Sequence, residues 1–228
     1  PIDKFASQVY SSDQQLIGTW NQDNNNRVAI DYNGLSPHLV HALVATEDER
    51  FYEHSGIDFI ALGRAIIKRG VMRQASAGGG STITQQLAKN AFLTQEQTVT
   101  RKAKEFFLSL ELTKKYSKQE ILTMYLNNAY FGNGVWGVED ASQKYFGTSA
   151  ANLTVDEAAT LAGMLKGPEI YNPIDNIQNA TNRRNTVLAN MVDDKKLSQA
   201  DADSAAGVDM ASRLDDTYQG TGDDYKYP

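Results

Sequence analysis

Gly78-Gly79-Gly80-Ser81-Thr82-Ile83-Thr84-Gln85-Gln86-Leu87-Ala88-Lys89-Asn90 is the stretch from which the rest of the chain is best read. Three glycines in a row cost backbone entropy, so they stand where a chain bends freely or approaches something closely. Ser81 or Thr82 offers a helix N-cap, and good helix formers follow. Thr82, Gln85 or Gln86, and Lys89 recur at helical spacing and share one face. Hydroxyls, amides and an ammonium beside a helix N-terminus suit an anion. A capped surface helix after a linker fits the same spacing, which leaves both readings open. A P-loop is excluded, because no Gly-Lys-Ser/Thr closes the glycine run.

Working outward, 228 residues at 41% hydrophobic can bury a core as one domain with a small appendage. Zero cysteines exclude disulfides and thiolate metal sites. No apolar run approaches the roughly 18 residues that span a bilayer. The chain begins with Pro1, so it reads as a piece of something longer, with any signal or anchor upstream. The net charge of −6 is unevenly spread: residues 61–118 hold eleven basic against three acidic residues, +8, which leaves −14 elsewhere. A basic block in an acidic chain points to a polyanionic partner or an anionic surface, although solvated helix faces account for any single lysine.

Residues 1–33 are polar, with Val9-Tyr10, Leu16-Ile17 and Val28-Ala29-Ile30 set between turn residues, which predicts one or two short strands. Helical periods begin at Pro37. His38 to Thr46 is a short apolar helix, and Asp58 to Val71 is amphipathic with Phe59, Ile66 and Ile67 on one side. That apolar side packs on the core or lies at a membrane interface. Thr100 to Lys115 carries Ala103, Phe106, Phe107 and Leu110 at i, i+3, i+4 and i+7, which predicts a buried stripe. Ser117 with Glu120, and Thr154 with Glu157, are capping boxes that open two more helices, the second stopped by Gly167-Pro168. The expected organisation is an N-terminal β segment at 1–33, a helical domain at 34–207 and a linker at 208–228.

Two carboxylates stand out. Glu47 lies in Glu47-Asp48-Glu49-Arg50-Phe51-Tyr52-Glu53-His54, where titratable groups crowd against aromatics, so it is a candidate base or acid. A helix capped by Thr46, with Glu49 completing a box, accounts for the same residues. Glu105 has Arg101 at i−4 and Lys102 at i−3, with Leu108 and Leu112 on its own face, which favours a partly buried, functional carboxylate. His38 and His41 stand at i and i+3, but no third ligand follows at metal-binding spacing.

Five ordered motifs give these residues a context. Glu47-Asp48-x-x-Phe51-x-x-His54-x-Gly56 is the first, and Gly80-Ser81-Thr82-Ile83-Thr84-Gln85-Gln86 the second. Arg101-Lys102-x-x-Glu105 with Leu110-Glu111 is the third, and Lys118-x-x-Ile121-Leu122-x-x-Tyr125-Leu126-Asn127 the fourth. Arg183-Arg184-x-x-Val187-Leu188 is the fifth. Over roughly Leu35 to Ala206 the chain resembles the peptidoglycan glycosyltransferase domain (family 51) of class A penicillin-binding proteins. The resemblance implies a mainly α, lysozyme-like domain with a large lobe, a small membrane-facing lobe and a short N-terminal β appendage. It implies Glu47 as catalytic base and Glu105 as a second essential carboxylate. Ser81, Thr82, Gln85, Gln86, Lys89, Arg101 and Lys102 would hold the donor's pyrophosphate, with Asp48 and His54 behind them. Many members carry an Arg where this chain has Gln97, so that ligand is missing here.

The implied reaction polymerises lipid II into β-1,4 glycan strands with inversion and release of undecaprenyl diphosphate. The implied partners are lipid II, the growing strand, a membrane surface and a moenomycin-type inhibitor, with no nucleic acid. The implied location is the extracytoplasmic face of a bacterial plasma membrane. The motifs fix no cofactor, and the resemblance leaves a divalent ion, Mg or Mn, open. Residues 225–228 resemble the linker into a transpeptidase domain, and no Ser-x-x-Lys or Lys-Thr-Gly occurs in the sequence. Two rival readings are a lysozyme-like lytic enzyme on finished glycan, which has no use for a cationic face, and a non-catalytic module binding wall polymers.

Overall fold

The computed structural model describes residues 7–10, 16–20, 28–72, 80–92 and 99–215, and these are mainly helical. Gly78, Gly79, Gln97 and residues 216–228 lie outside the described residues. Strands β1 (Ser7–Tyr10) and β2 (Leu16–Trp20) pair antiparallel, with Ser7 opposite Trp20. The third apolar run, at Val28-Ala29-Ile30, forms no strand. Instead the Ile30 N–H and C=O both bond the Asn127 side-chain amide, at 3.2 and 2.8 Å. Ten helices follow among the described residues. They are α1 (Pro37–Glu47), α2 (Phe59–Met72), α3 (Ile83–Phe92), α4 (Val99–Lys115), α5 (Lys118–Asn128), α6 (Val138–Phe146), α7 (Val155–Met164), α8 (Pro168–Tyr171), α9 (Ile177–Asp193) and α10 (Gln199–Ala206). The chain divides into two compact units, a smaller one from Glu47 to Tyr125 and a larger one made of the rest.

In the larger unit α7 packs on α9. Both bonds of the Thr154–Glu157 capping box form, and Gly167 with Pro168 ends the segment as the sequence predicts. Every residue of α7 from Asp156 to Met164 is buried, its two acidic residues included. A Cβ at Gly163 would stand 2.9 Å from Arg183 Cγ, so only glycine lets the two helices approach this closely. Arg184 of the fifth motif is buried, and its guanidinium donates to the carbonyls of Ala206 and Val208 at 2.8 Å each, closing the end of α10. Packing continues past 207: Arg213 pairs with Asp156 at 2.9 Å, and the Asp215 N–H reaches the Tyr145 carbonyl.

The smaller unit inverts two expectations. Ala103 and Phe107 of the predicted buried stripe on α4 are exposed, Phe107 at 65%. The face that α4 buries is Glu105, Ser109 and Leu112, at i, i+4 and i+7. The period is helical as predicted, but a mainly polar face turns inward, with the Ser109 hydroxyl donating to the Glu105 carbonyl and the Glu105 carboxylate pairing with Lys102 on the same helix. The apolar side of α2 is exposed as well, with Phe59, Ile60, Ile66 and Ile67 each at 60% or more. Among the described residues that side therefore does not pack on a core. Asp58 caps α2 by accepting the Ala61 N–H at 2.8 Å, and its carboxylate also pairs with Arg50.

Candidate active site in the smaller unit

Glu47 and its neighbour Asp48 stand at the end of α1, where consecutive residues take up different tasks. Thr46 lies within α1, so the alternative in which it caps a helix completed by Glu49 does not form. Asp48 is buried, and its Oδ2 accepts the Ile83 N–H at 3.0 Å. His54 Nε2 lies 2.9 and 2.8 Å from the two carboxylate oxygens. The other ring nitrogen, Nδ1, accepts the Gly56 N–H at 3.0 Å. This network assigns the tautomer with its proton on Nε2, because Nδ1 is already an acceptor. Lys118 donates to the His54 carbonyl at 2.7 Å and lies 4.4 Å from the Phe51 ring centroid. Burial lowers the Lys118 pKa, and the Asp48 charge partly opposes that shift.

Gly56 is where these threads meet. Its φ is +101°, and a Cβ there would stand 2.5 Å from the Ser109 carbonyl of α4. Its own carbonyl accepts the Thr82 hydroxyl at 2.6 Å. Thr82 and Gln85 form a reciprocal capping box: Gln85 N–H to Thr82 Oγ1 at 3.1 Å, and Thr82 N–H to Gln85 Oε1 at 2.9 Å. The predicted cap on α3 is thus present. The anion at the α3 N-terminus, however, is the chain's own Asp48 carboxylate. The dipole and amide argument for an anion there holds, but the partner is internal.

Gln86, one position further along, faces the other carboxylate. Its Nε2 donates to Glu47 Oε2 at 3.3 Å, and its Oε1 accepts the Tyr125 hydroxyl at 2.9 Å. Tyr125 is buried on α5; burial first, and the Glu47 charge second, raise its pKa, so the phenol keeps its proton. Lys89, one turn beyond Gln86, is exposed, and Ser81 is half-buried before the helix. Glu105 on α4 is 1% exposed and takes Lys102 Nζ at 2.9 and 3.2 Å, while the Lys102 side chain remains 58% exposed. Arg101 is half-buried on the preceding position. In the sequence Tyr125 stands only as a member of the fourth motif; the one signal of its role is that a buried phenol requires a hydrogen-bond partner. Among the described residues no group of three or more His, Cys, Asp and Glu is placed to hold a metal ion.

The transglycosylase family model matches residues 13–192. The chain belongs to the transglycosylase family. Penicillin-binding protein 2a of Streptococcus pneumoniae is 59% identical over 199 residues, 87% of this chain and 26% of that protein. Penicillin-binding protein 1A of Vibrio cholerae is 44% identical over 199 residues, again 87% of this chain and 24% of the relative. A crystal structure of penicillin-binding protein 1A from Haemophilus influenzae is similar at 25% identity and a TM-score of 0.49, covering 89% of this chain and 20% of that one. This transglycosylase spans about a quarter of the length of those relatives. It is a transglycosylase domain similar to segments of these penicillin-binding proteins.

Proposed function

We propose that this domain polymerises lipid II, with Glu47 as general base on the acceptor. Glu47 takes the proton from the 4-hydroxyl of the acceptor's N-acetylglucosamine. That oxygen attacks C1 of the donor's N-acetylmuramic acid, the C1–O bond to the diphosphate breaks, and inversion gives a β-1,4 link. Undecaprenyl diphosphate leaves with the bonding electron pair. A glycosidase needs a second carboxyl to protonate a poor leaving alkoxide. A diphosphate leaves as a stable anion, so cations that offset its growing charge replace that acid.

The observation that carries this reading is on α3. Gln86 bonds Glu47, and Lys89 follows at i+3 on the same helix, exposed. Neighbours at that spacing lie about 5–6 Å apart between Cβ atoms, so the amide that bonds the base and a cation share one face of α3. Lys89, Ser81, Arg101 and Lys102 are assigned to the departing diphosphate. Thr82, Gln85, Asp48 and His54 are assigned to holding α3 in place. Glu105, too buried to meet a substrate broadly, is assigned to anchoring the Lys102 ammonium.

The exposed Phe59, Ile60, Leu62, Ile66 and Ile67 of α2, with Phe107 of α4, support contact with a lipid surface, which suits a lipid-linked substrate on the extracytoplasmic face. No helix among the described residues is long and apolar enough to cross a membrane. Incubating the chain with labelled lipid II, with and without moenomycin, tests the proposal. Polymeric glycan that moenomycin abolishes is the expected result. Folded protein that leaves lipid II intact, or that cuts finished glycan instead, would overturn it.

A further inference from the structure

We propose that Tyr125 is a positioning residue for the base, acting through the Gln86 amide on Glu47. The inference rests on the reading of Glu47 as general base and extends it to a relay across α5, α3 and the end of α1. A carboxylate has no hydrogen to give, so Gln86 turns its Nε2 toward Glu47 Oε2, at 3.3 Å. The carbonyl end then needs a donor, and the Tyr125 hydroxyl supplies it at 2.9 Å. Tyr125 is only 3% exposed, so its ring is fixed by packing and its hydroxyl is a stationary anchor. The phenol keeps its proton because burial and the Glu47 charge both oppose its ionisation.

Removing that hydroxyl leaves Gln86 Oε1 facing a hydrocarbon ring. A buried acceptor without a partner is costly, and Gln86 is only half-buried. Its side chain therefore swings toward water to satisfy the carbonyl, and Glu47 loses one of the contacts that orient its carboxylate. A general base works within hydrogen-bond reach of one proton, so a loosened carboxylate slows the chemical step more than it weakens substrate binding.

The test is a double-mutant cycle on lipid II polymerisation with Tyr125→Phe, Gln86→Met and both together, with Glu47→Gln in the same assay. Tyr125→Phe keeps the ring, and Gln86→Met keeps the length of the side chain. Each single change is expected to lower kcat about tenfold with KM for lipid II within about twofold, and the double variant to be no slower than Gln86→Met alone. A Tyr125→Phe enzyme with wild-type kcat overturns the relay. So does a loss that multiplies with that of Gln86→Met, or one that falls on KM. If Tyr125→Phe fails to fold, Gln86→Met alone decides, and full kcat in that variant overturns the proposal. Glu47→Gln separates the two readings: an active variant removes the base, whereas an inactive one beside a normal Tyr125→Phe removes only the relay.

Discussion

Helices α4 and α7 both carry a strong helical pattern, and they use it in opposite senses. In the larger unit α7 buries its apolar residues together with its two acidic ones, and α9 lies against it. In the smaller unit α4 buries Glu105 and Ser109 and leaves Phe107 in the open, while α2 exposes four large apolar side chains at 60% or more. Periodicity tells which residues share a face; the partners available decide which face turns inward. In the larger unit that partner is α9, which buries Ala180, Val187, Leu188 and Met191. In the smaller one α4 meets Gly56 closely at the Ser109 carbonyl, beside the polar network through Asp48 and Thr82, and large apolar side chains of α2 stay exposed.

Four substitutions probe this contrast, in order of expected effect. Gly56→Ala breaks the polar interior of the smaller unit at its crossing point, since the new Cβ meets the Ser109 carbonyl and φ is +101°. Strain and overpacking together predict a loss of roughly 3 kcal/mol or more, read by urea unfolding. Leu161→Ala cuts the core of the larger unit at a residue with no exposure, and the expected cost is about 2–5 kcal/mol in the same measurement. The double change Ile66→Ser with Ile67→Ser is expected to leave stability within about 0.5 kcal/mol, since both side chains are more than 60% exposed. Flotation with anionic vesicles should fall markedly for that variant. A large stability loss would mean that the face is part of a core after all.

Asp140 sharpens the contrast from the other side, as a buried carboxyl with one oxygen, Oδ1, lacking any partner. Burial pushes its pKa up to about 7, against the Val28 N–H and with help from the Glu139 charge. The folded chain therefore keeps this proton where the unfolded chain, with an ordinary Asp near 3.9, has lost it. The contribution is fully present below about 4 and is lost as the pH rises through 7. Asp140→Asn should melt with the wild type at pH 4 and above it at pH 8. Asp48, which accepts the Ile83 N–H and the His54 ring, should show no such gain on Asp48→Asn.

Local chemistry was legible in the sequence, and long-range pairing was not. The boxes at Ser117 and Thr154, the stop at Gly167-Pro168 and the cap on α3 all depend on residues within four positions, and all are present. Gly132, Gly134 and Gly137 crowd the connection between α5 and α6, and each has a positive φ there. By contrast, the occupant of the α3 N-terminus comes from 35 residues away, and Gln86 reaches Glu47 across 39. No period or cap encodes those distances. The fifth motif shows the same limit: Arg184 is invisible as a structural clamp until α10 and Val208 fold back onto it.

The central claim is that adjacent carboxylates divide the work, Glu47 taking the proton and Asp48 holding α3. Measuring lipid II turnover and melting temperature together for Glu47→Gln tests it most directly. The expected result is a melting temperature within about two degrees of the wild type and a fall in kcat of roughly 10²–10⁴-fold, the usual worth of a general base. Near-normal polymerisation by folded Glu47→Gln would contradict it.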